Sequence, residues 1–239
     1  MERRDLAELE QLLLRADSVV AMEDVFDGRN DEGVIGLRHD IDDNAGSFTT
    51  AIKMAHWEAA RGFRSTYFVL HGSHYWRNES ALQAGLFSIA SCGHEIALHC
   101  NAIADSLRHG SDPHALVEAS LDLLRGFGHR IRGVVAHGDP LCRNDDRSIR
   151  FVNDEIFTEC ARPEVGPPRR TLTLDGVRIK LKPRPLADFG LEYDSNRLSR
   201  RTYISDSGDR WNIQPRTLRL PEHGPIHVLQ HPDWYPNAL

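Results

Sequence analysis

Cysteine is scarce. Only Cys92, Cys100, Cys142 and Cys160 occur in 239 residues, with no C-x-x-C pair and no zinc-ribbon spacing. That argues against a disulfide-stapled scaffold or a zinc knuckle, and reduced thiols in a reducing compartment are expected. No run of lysine and arginine exceeds two residues, and 29 basic against 35 acidic side chains give a formal charge of −6. The basic footprint of a nucleic-acid binder is therefore missing. No window approaches the ~20 apolar residues that span a bilayer. The charged start MERRDLAELE lacks the apolar stretch of a signal peptide. A cytoplasmic protein with no membrane span and no nucleic-acid partner is expected.

Histidine, by contrast, is plentiful. Thirteen are present, enough to reverse the net charge on full protonation, so the chain's sign turns over where imidazole titrates. Hydrophobic residues at 40% and charged residues at 27% are ordinary for a globular chain. One domain over residues 1–239 is expected, with a leading helix and turn-rich entry over 1–30 and a barrel over 34–231.

Leucines 6, 9, 12 and 13 fall at helical spacing over residues 3–15. VIGLRHD (34–40), STYFVL (65–70), HEIALH (94–99) and RGVVAHG (132–138) read as buried strands. Between them lie a helix from an Asn44 cap to Gly62, another over about 80–91, and a third opened by Asp112-Pro113 and closed at Gly126–Gly128. The first of these helices has Phe48, Ala51, Ile52, Ala55 and Ala59 on its expected inner face. A β-α-β-α-β-α-β order predicts parallel strands with right-handed crossovers. Beyond it the pattern predicts a helical segment around 146–160, a hairpin TLTLDGVRIKL turning at Asp175-Gly176, and strands LEYD (191–194) and IHVLQH (226–231). The expected fold class is α/β, a distorted (β/α) barrel of about seven strands with an added hairpin.

Several strands end in ionisable residues: RHDIDD, LH, AHGD, YD and LQH. In parallel α/β barrels the carboxyl ends of strands converge on one mouth. Asp40, Asp42, His99, His137, Asp194 and His231 are therefore the candidate site residues. Strand alternation puts Asp40 and Asp42 on one face and His39 and Ile41 on the other, and separates His94 from His99. HEIALH is thus not the H-E-x-x-H of a zinc protease helix. Paired carboxylates beside imidazoles suit a hydrolytic metal site, with one carboxylate binding the ion and another accepting a proton from water.

RHDIDD, TYFVL, GHEIALH and the closing VLQHP together resemble the NodB-homology polysaccharide deacetylases of carbohydrate esterase family 4. The pattern looks most like the cytoplasmic branch whose first motif reads R-H-D-V-D, found among enzymes of surface-polysaccharide (O-antigen-like) biosynthesis. The resemblance spans residues 34–231. It implies a divalent metal, usually zinc, and removal of an N-acetyl or O-acetyl group from a sugar. It also implies roles. Asp40 is the catalytic base, Asp42 and His99 are metal ligands, His231 is the catalytic acid, and Asp194 orients His231. Leu229 lines the acetyl pocket. The inserted Ile41 leaves the roles of Asp40 and Asp42 open to exchange. Two departures stand out: Ile103 occupies the place of the family's second metal histidine, and AHGDP replaces its Arg-x-Pro motif. His137 is the first candidate for the third ligand, followed by Asn101 and Asp40, and a set richer in oxygen would favour Mg²⁺, Mn²⁺ or Ca²⁺. Trp234 is a candidate for stacking on a sugar ring.

The expectation is a metal-dependent deacetylase acting on an acetylated sugar or glycan precursor. The alternatives are a non-catalytic carbohydrate-binding or scaffold protein with a degenerate metal site, and a hydrolase of another non-peptide C–N bond.

Overall fold

A computed structural model describes residues 6–161, 170–208, 210–220 and 225–235. In chain order the elements are α1 (Leu6–Leu13), β1 (Ser18–Val20), α2 (Met22–Phe26), β2 (Val34–Ile41), α3 (Ser47–Ala59), β3 (Thr66–Leu70), α4 (Glu79–Ser91) and β4 (Glu95–Cys100). Then come α5 (Ala102–His109), α6 (Pro113–Gly126), β5 (Gly133–Ala136), β6 (Arg170–Leu174), β7 (Val177–Leu181), β8 (Tyr193–Asp194), β9 (Thr202–Ser205) and β10 (Ile226–Gln230). The strand order is β8-β5-β4-β3-β2-β10-β9, with β1 also on β2, and every registered pair in this sheet is parallel. The antiparallel β6-β7 hairpin stands apart. The expected α/β class, a seven-strand parallel path plus a hairpin, is what the chain adopts.

The chain divides into two compact units, Met1–Ala97 with Leu198–Leu239, and Leu98–Arg197. In the first, β2 is buried along its whole length and flanked by β3 and β10. Leu6, Leu9, Leu12 and Leu13 of α1 share a core with Ile35, Leu37, Ile226 and Val228, as their helical spacing predicts. On α3 the buried residues are Ser47, Thr50, Ala51, Met54, Ala55 and Glu58. Phe48, Ile52 and Ala59, expected inside, are only half-buried. The helix face is rotated because Glu58 is drawn in by His39, 2.6 Å away. Asn44 does not cap α3. The helix starts after Gly46, whose φ is 83°, and the Asn44 amide donates to Asp233 at 2.5 Å.

The second unit carries α5, α6, β5, β8 and the hairpin. Asp112 caps α6 as expected, accepting from the backbone of His114 and Ala115, and Pro113 takes the first turn. Asp175 and Gly176 both have positive φ, 46° and 83°, the conformation of a tight type I′ hairpin turn. The helix expected around 146–160 does not form. Arg147 sits at φ 66° within a bridge between Arg143 and Ile149, and only the single turn Asn153–Ile156 follows, with all four residues buried. Two short strands went unread, β1 and β9. Three or four residues carry too little alternation to signal a strand, and it is pairing with β2 and β10 that makes them so.

Candidate functional site

In the first unit, Asp40 lies near the end of β2, 4% exposed, with Arg38 Nε 3.7 Å from its carboxylate. Asp42 follows the strand, and its backbone carbonyl accepts from Ser47 Oγ at 2.7 Å. Gln230 on β10 pairs with His39, which brings the next residue, His231, level with Asp40. His231 Nδ1 is 2.6 Å from Asp206 Oδ1, and the His231 backbone N–H also donates to that carboxylate. His231 Nε2 is 4.0 Å from Asp42 Oδ2. Burial alone would depress the imidazole pKa, but the bond to Asp206 and the charges of Asp206, Asp40 and Asp42 outweigh it, and the pKa is raised to about 9. At neutral pH His231 is therefore an imidazolium.

Leu229 is buried on the same strand, level with Arg38 and Ser205, and so shares the face of Asp40 and His231. The Trp234 ring lies 6.4 Å from that of His231, tilted by 58°. The opposite face of β2 is structural. His39 Nε2 bonds Glu58 at 2.6 Å, and Glu58 also accepts from Ser65 and Tyr67, while His94 bonds Ser65 and the Ala55 carbonyl. This separation of His39 and His94 from the strand-end residues is the one alternation predicts.

In the second unit, His99 near the end of β4 meets His137, one residue past β5. Their Nε2 and Nδ1 atoms are 3.1 Å apart and the rings stand edge to face at 89°. His99 Nδ1 donates to the Val135 carbonyl at 3.3 Å, which leaves its Nε2 lone pair facing His137. His137 is fixed through its backbone: its N–H donates to the Cys100 carbonyl and its carbonyl accepts from Asn153 Nδ2 at 2.7 Å.

Asn101 is not placed as a ligand. Its amide N–H groups bond Asp105 and Asp139, and its oxygen accepts from Asn153. Asp139, of the AHGDP segment, is buried and held bidentately by Arg108 at 2.6 and 2.7 Å. Burial would raise its carboxyl pKa, but Arg108, the Leu141 N–H and Asn101 hold it below the ordinary range. Ile103 on α5 is fully buried core.

Asp206, not Asp194, is the carboxylate on His231. Asp194 instead accepts from the Cys160 thiol at 3.3 Å and from the Asn196 backbone at 2.9 Å. LEYD offered a carboxylate at a legible strand end, whereas Asp206 follows β9, which was not read as a strand. The signal lay in the strand-end rule itself, since Asp206 directly follows Ser205.

No protein-family model and no curated protein matches the chain. Among the described residues no helix is long and apolar enough to cross a membrane. Groups of His, Cys and Asp able to hold a metal ion are present.

Proposed function

We propose that the protein is a metal-dependent deacetylase that removes an acetyl group, most readily an N-acetyl group, from a sugar in a glycan precursor. The observation that carries this reading is the Asp206–His231 pair, whose free Nε2 is turned toward Asp42, 4.0 Å away. An imidazolium oriented by a buried carboxylate is suited to protonate a departing amine.

The residues fit a divalent ion by their donor chemistry. His99 and His137 aim ring nitrogens at each other, and two imidazoles with one carboxylate form a set that suits zinc. The resemblance to the NodB-homology deacetylases assigns the carboxylate of that set to Asp42. When bound there, such an ion would supply an acidified water and polarise the acetyl carbonyl.

Asp40 accepts the proton of the water that attacks the carbonyl carbon. His231 gives its Nε2 proton to the amine nitrogen as the C–N bond breaks, so that acetate and a free amino sugar leave. Asp206 holds the His231 ring so that Nε2, not Nδ1, faces the substrate. Leu229 packs the methyl of the acetyl group, and Trp234 offers a ring face to the sugar.

Acetate release from N-acetylated hexosamines, free and nucleotide-linked, tests this reading with zinc-loaded and chelator-treated protein. Release that needs the metal and is lost in Asp42→Ala is expected. Metal-bound protein that binds the sugars without releasing acetate would instead identify a carbohydrate-binding protein.

A further inference from the structure

We propose that Asp154, Cys160 and Asp194 form a second divalent-metal site, distinct from the histidine pair and specific for ions that accept a thiolate. All three lie in the unit Leu98–Arg197, and each offers a ligand atom within 4.8 Å of the other two. Asp154 comes from the turn Asn153–Ile156 and Asp194 from the end of β8, while Cys160 sits in a tight turn whose N–H bonds the Phe157 carbonyl. Three separate segments thus converge on one point.

The charge is unbalanced as it stands. Asp154 and Asp194 are 6% and 3% exposed, and among the described residues no Lys, Arg or His makes an ion pair with either. Two buried carboxylates in contact cannot both ionise unless a cation joins them. Burial together with the Asp194 charge pushes the Asp154 carboxyl well above the ordinary range. Burial and the same two carboxylates push the Cys160 thiol up as well, so it is a poor nucleophile and is no candidate for covalent chemistry.

A divalent ion resolves this arrangement without changing its charge. Uptake of one M²⁺ would release two protons, one from Asp154 and one from Cys160, and leave two carboxylates and a thiolate around the ion. The donor atoms are already turned inward. The Asn196 N–H occupies Asp194 Oδ1, while Oδ2 faces the Cys160 sulfur at 3.3 Å. A thiolate among the donors selects zinc-like ions over magnesium or calcium.

Cobalt(II), a spectroscopic stand-in for zinc, tests the site in the full chain. Titration is expected to give a thiolate-to-cobalt charge-transfer band in the wild type. The band should vanish in Cys160→Ser, together with one bound equivalent. Asp154→Asn keeps the thiol and should weaken the band's half-saturation at least 10-fold, which covers the case of a misfolded serine variant. His99→Ala should retain the band, so failure of the histidine site and failure of this one are separable. A wild-type protein with no thiolate band, or a band that survives Cys160→Ser, overturns the proposal.

Discussion

Asp206 accepts from His231 twice, at Nδ1 over 2.6 Å and at the backbone N–H over 3.1 Å. The two bonds fix both the ring and the chain that carries it, and the Asp206 side chain is fully buried. Replacing Asp206 by Asn removes the charge while leaving a group of the same shape. We expect kcat for acetate release to fall by about 10²–10⁴-fold with a much smaller change in KM, since a proton donor acts in the transition state rather than in binding. A variant with wild-type kcat would remove His231 from the mechanism.

Asn153 holds the histidine pair through backbone: it donates to the His137 carbonyl and to Asn101 and accepts from the Ala104 N–H at 3.0 Å. Outer partners of metal ligands typically carry about 10–100-fold in affinity. Asn153→Ala should lose zinc affinity within that range in a chelator competition. Unchanged affinity would mean that His137 is held in place by other groups.

Stability should erode on the acid side. Glu58 is fully buried, and although burial opposes ionisation, His39, His94 and Ser65 hold its carboxyl below the ordinary value. A depressed acid stabilises the fold above its unfolded pKa, and that stability is lost as pH falls through the folded pKa. His94 and His227 act in the same direction. Burial keeps both neutral, His227 down to about 3 with help from Arg200 and Arg38, so the unfolded chain takes up their protons first as pH falls below about 6.5. His231 and Asp154, whose pKa values are raised, act in the opposite direction, so the effect is read against a variant: the urea midpoint of the wild type relative to His227→Leu should drop as pH falls from about 6.5 to 4.5. His227 Nε2 has no hydrogen-bond partner among the described residues, so His227→Leu should flatten part of that slope. Glu58→Gln should cost about 3–5 kcal/mol at pH 7 by leaving buried partners unpaired. A difference between wild type and His227→Leu that does not change with pH would contradict the assignment.

Gly133 on β5 has no room for a side chain, because a β-carbon there would collide with the Tyr193 ring of the adjacent β8. Gly133→Ala should push Tyr193 away and destabilise the protein by about 1–3 kcal/mol. Because Asp194 is next to Tyr193, the same change should weaken the thiolate–cobalt band. A stable Gly133→Ala protein with an unaltered band would show that β8 can yield without moving Asp194.

The strand-end residues were legible because β2, β4 and β10 are long enough for burial and alternation to register in the sequence. Alternation alone assigns Asp40 and His99 a face, and the strand-end rule alone picks out His231. Asp206 was not legible, because β9 is four residues in a polar stretch and exists by pairing with β10. The same cause sent the orienting role to Asp194, a carboxylate at a strand end that the sequence did reveal. The segment 146–160 misled for a different reason. Its spacing suits a helix, but Asn153, Asp154 and Glu155 turn inward to make hydrogen bonds or meet other ionisable groups, and tertiary contacts override local propensity there.

The central claim, that strand-end carboxylates and histidines form a metal-dependent deacetylase, is tested most directly by acetate release measured alongside bound metal in one set of proteins. Wild-type protein loaded with zinc should release acetate from an N-acetylated amino sugar, and stripping the metal should abolish release. Asp42→Ala, His99→Ala and His137→Ala should lose one bound equivalent of metal and activity together, while His231→Ala keeps that equivalent and loses activity. Full acetate release from metal-free protein, or from His231→Ala, would contradict the account.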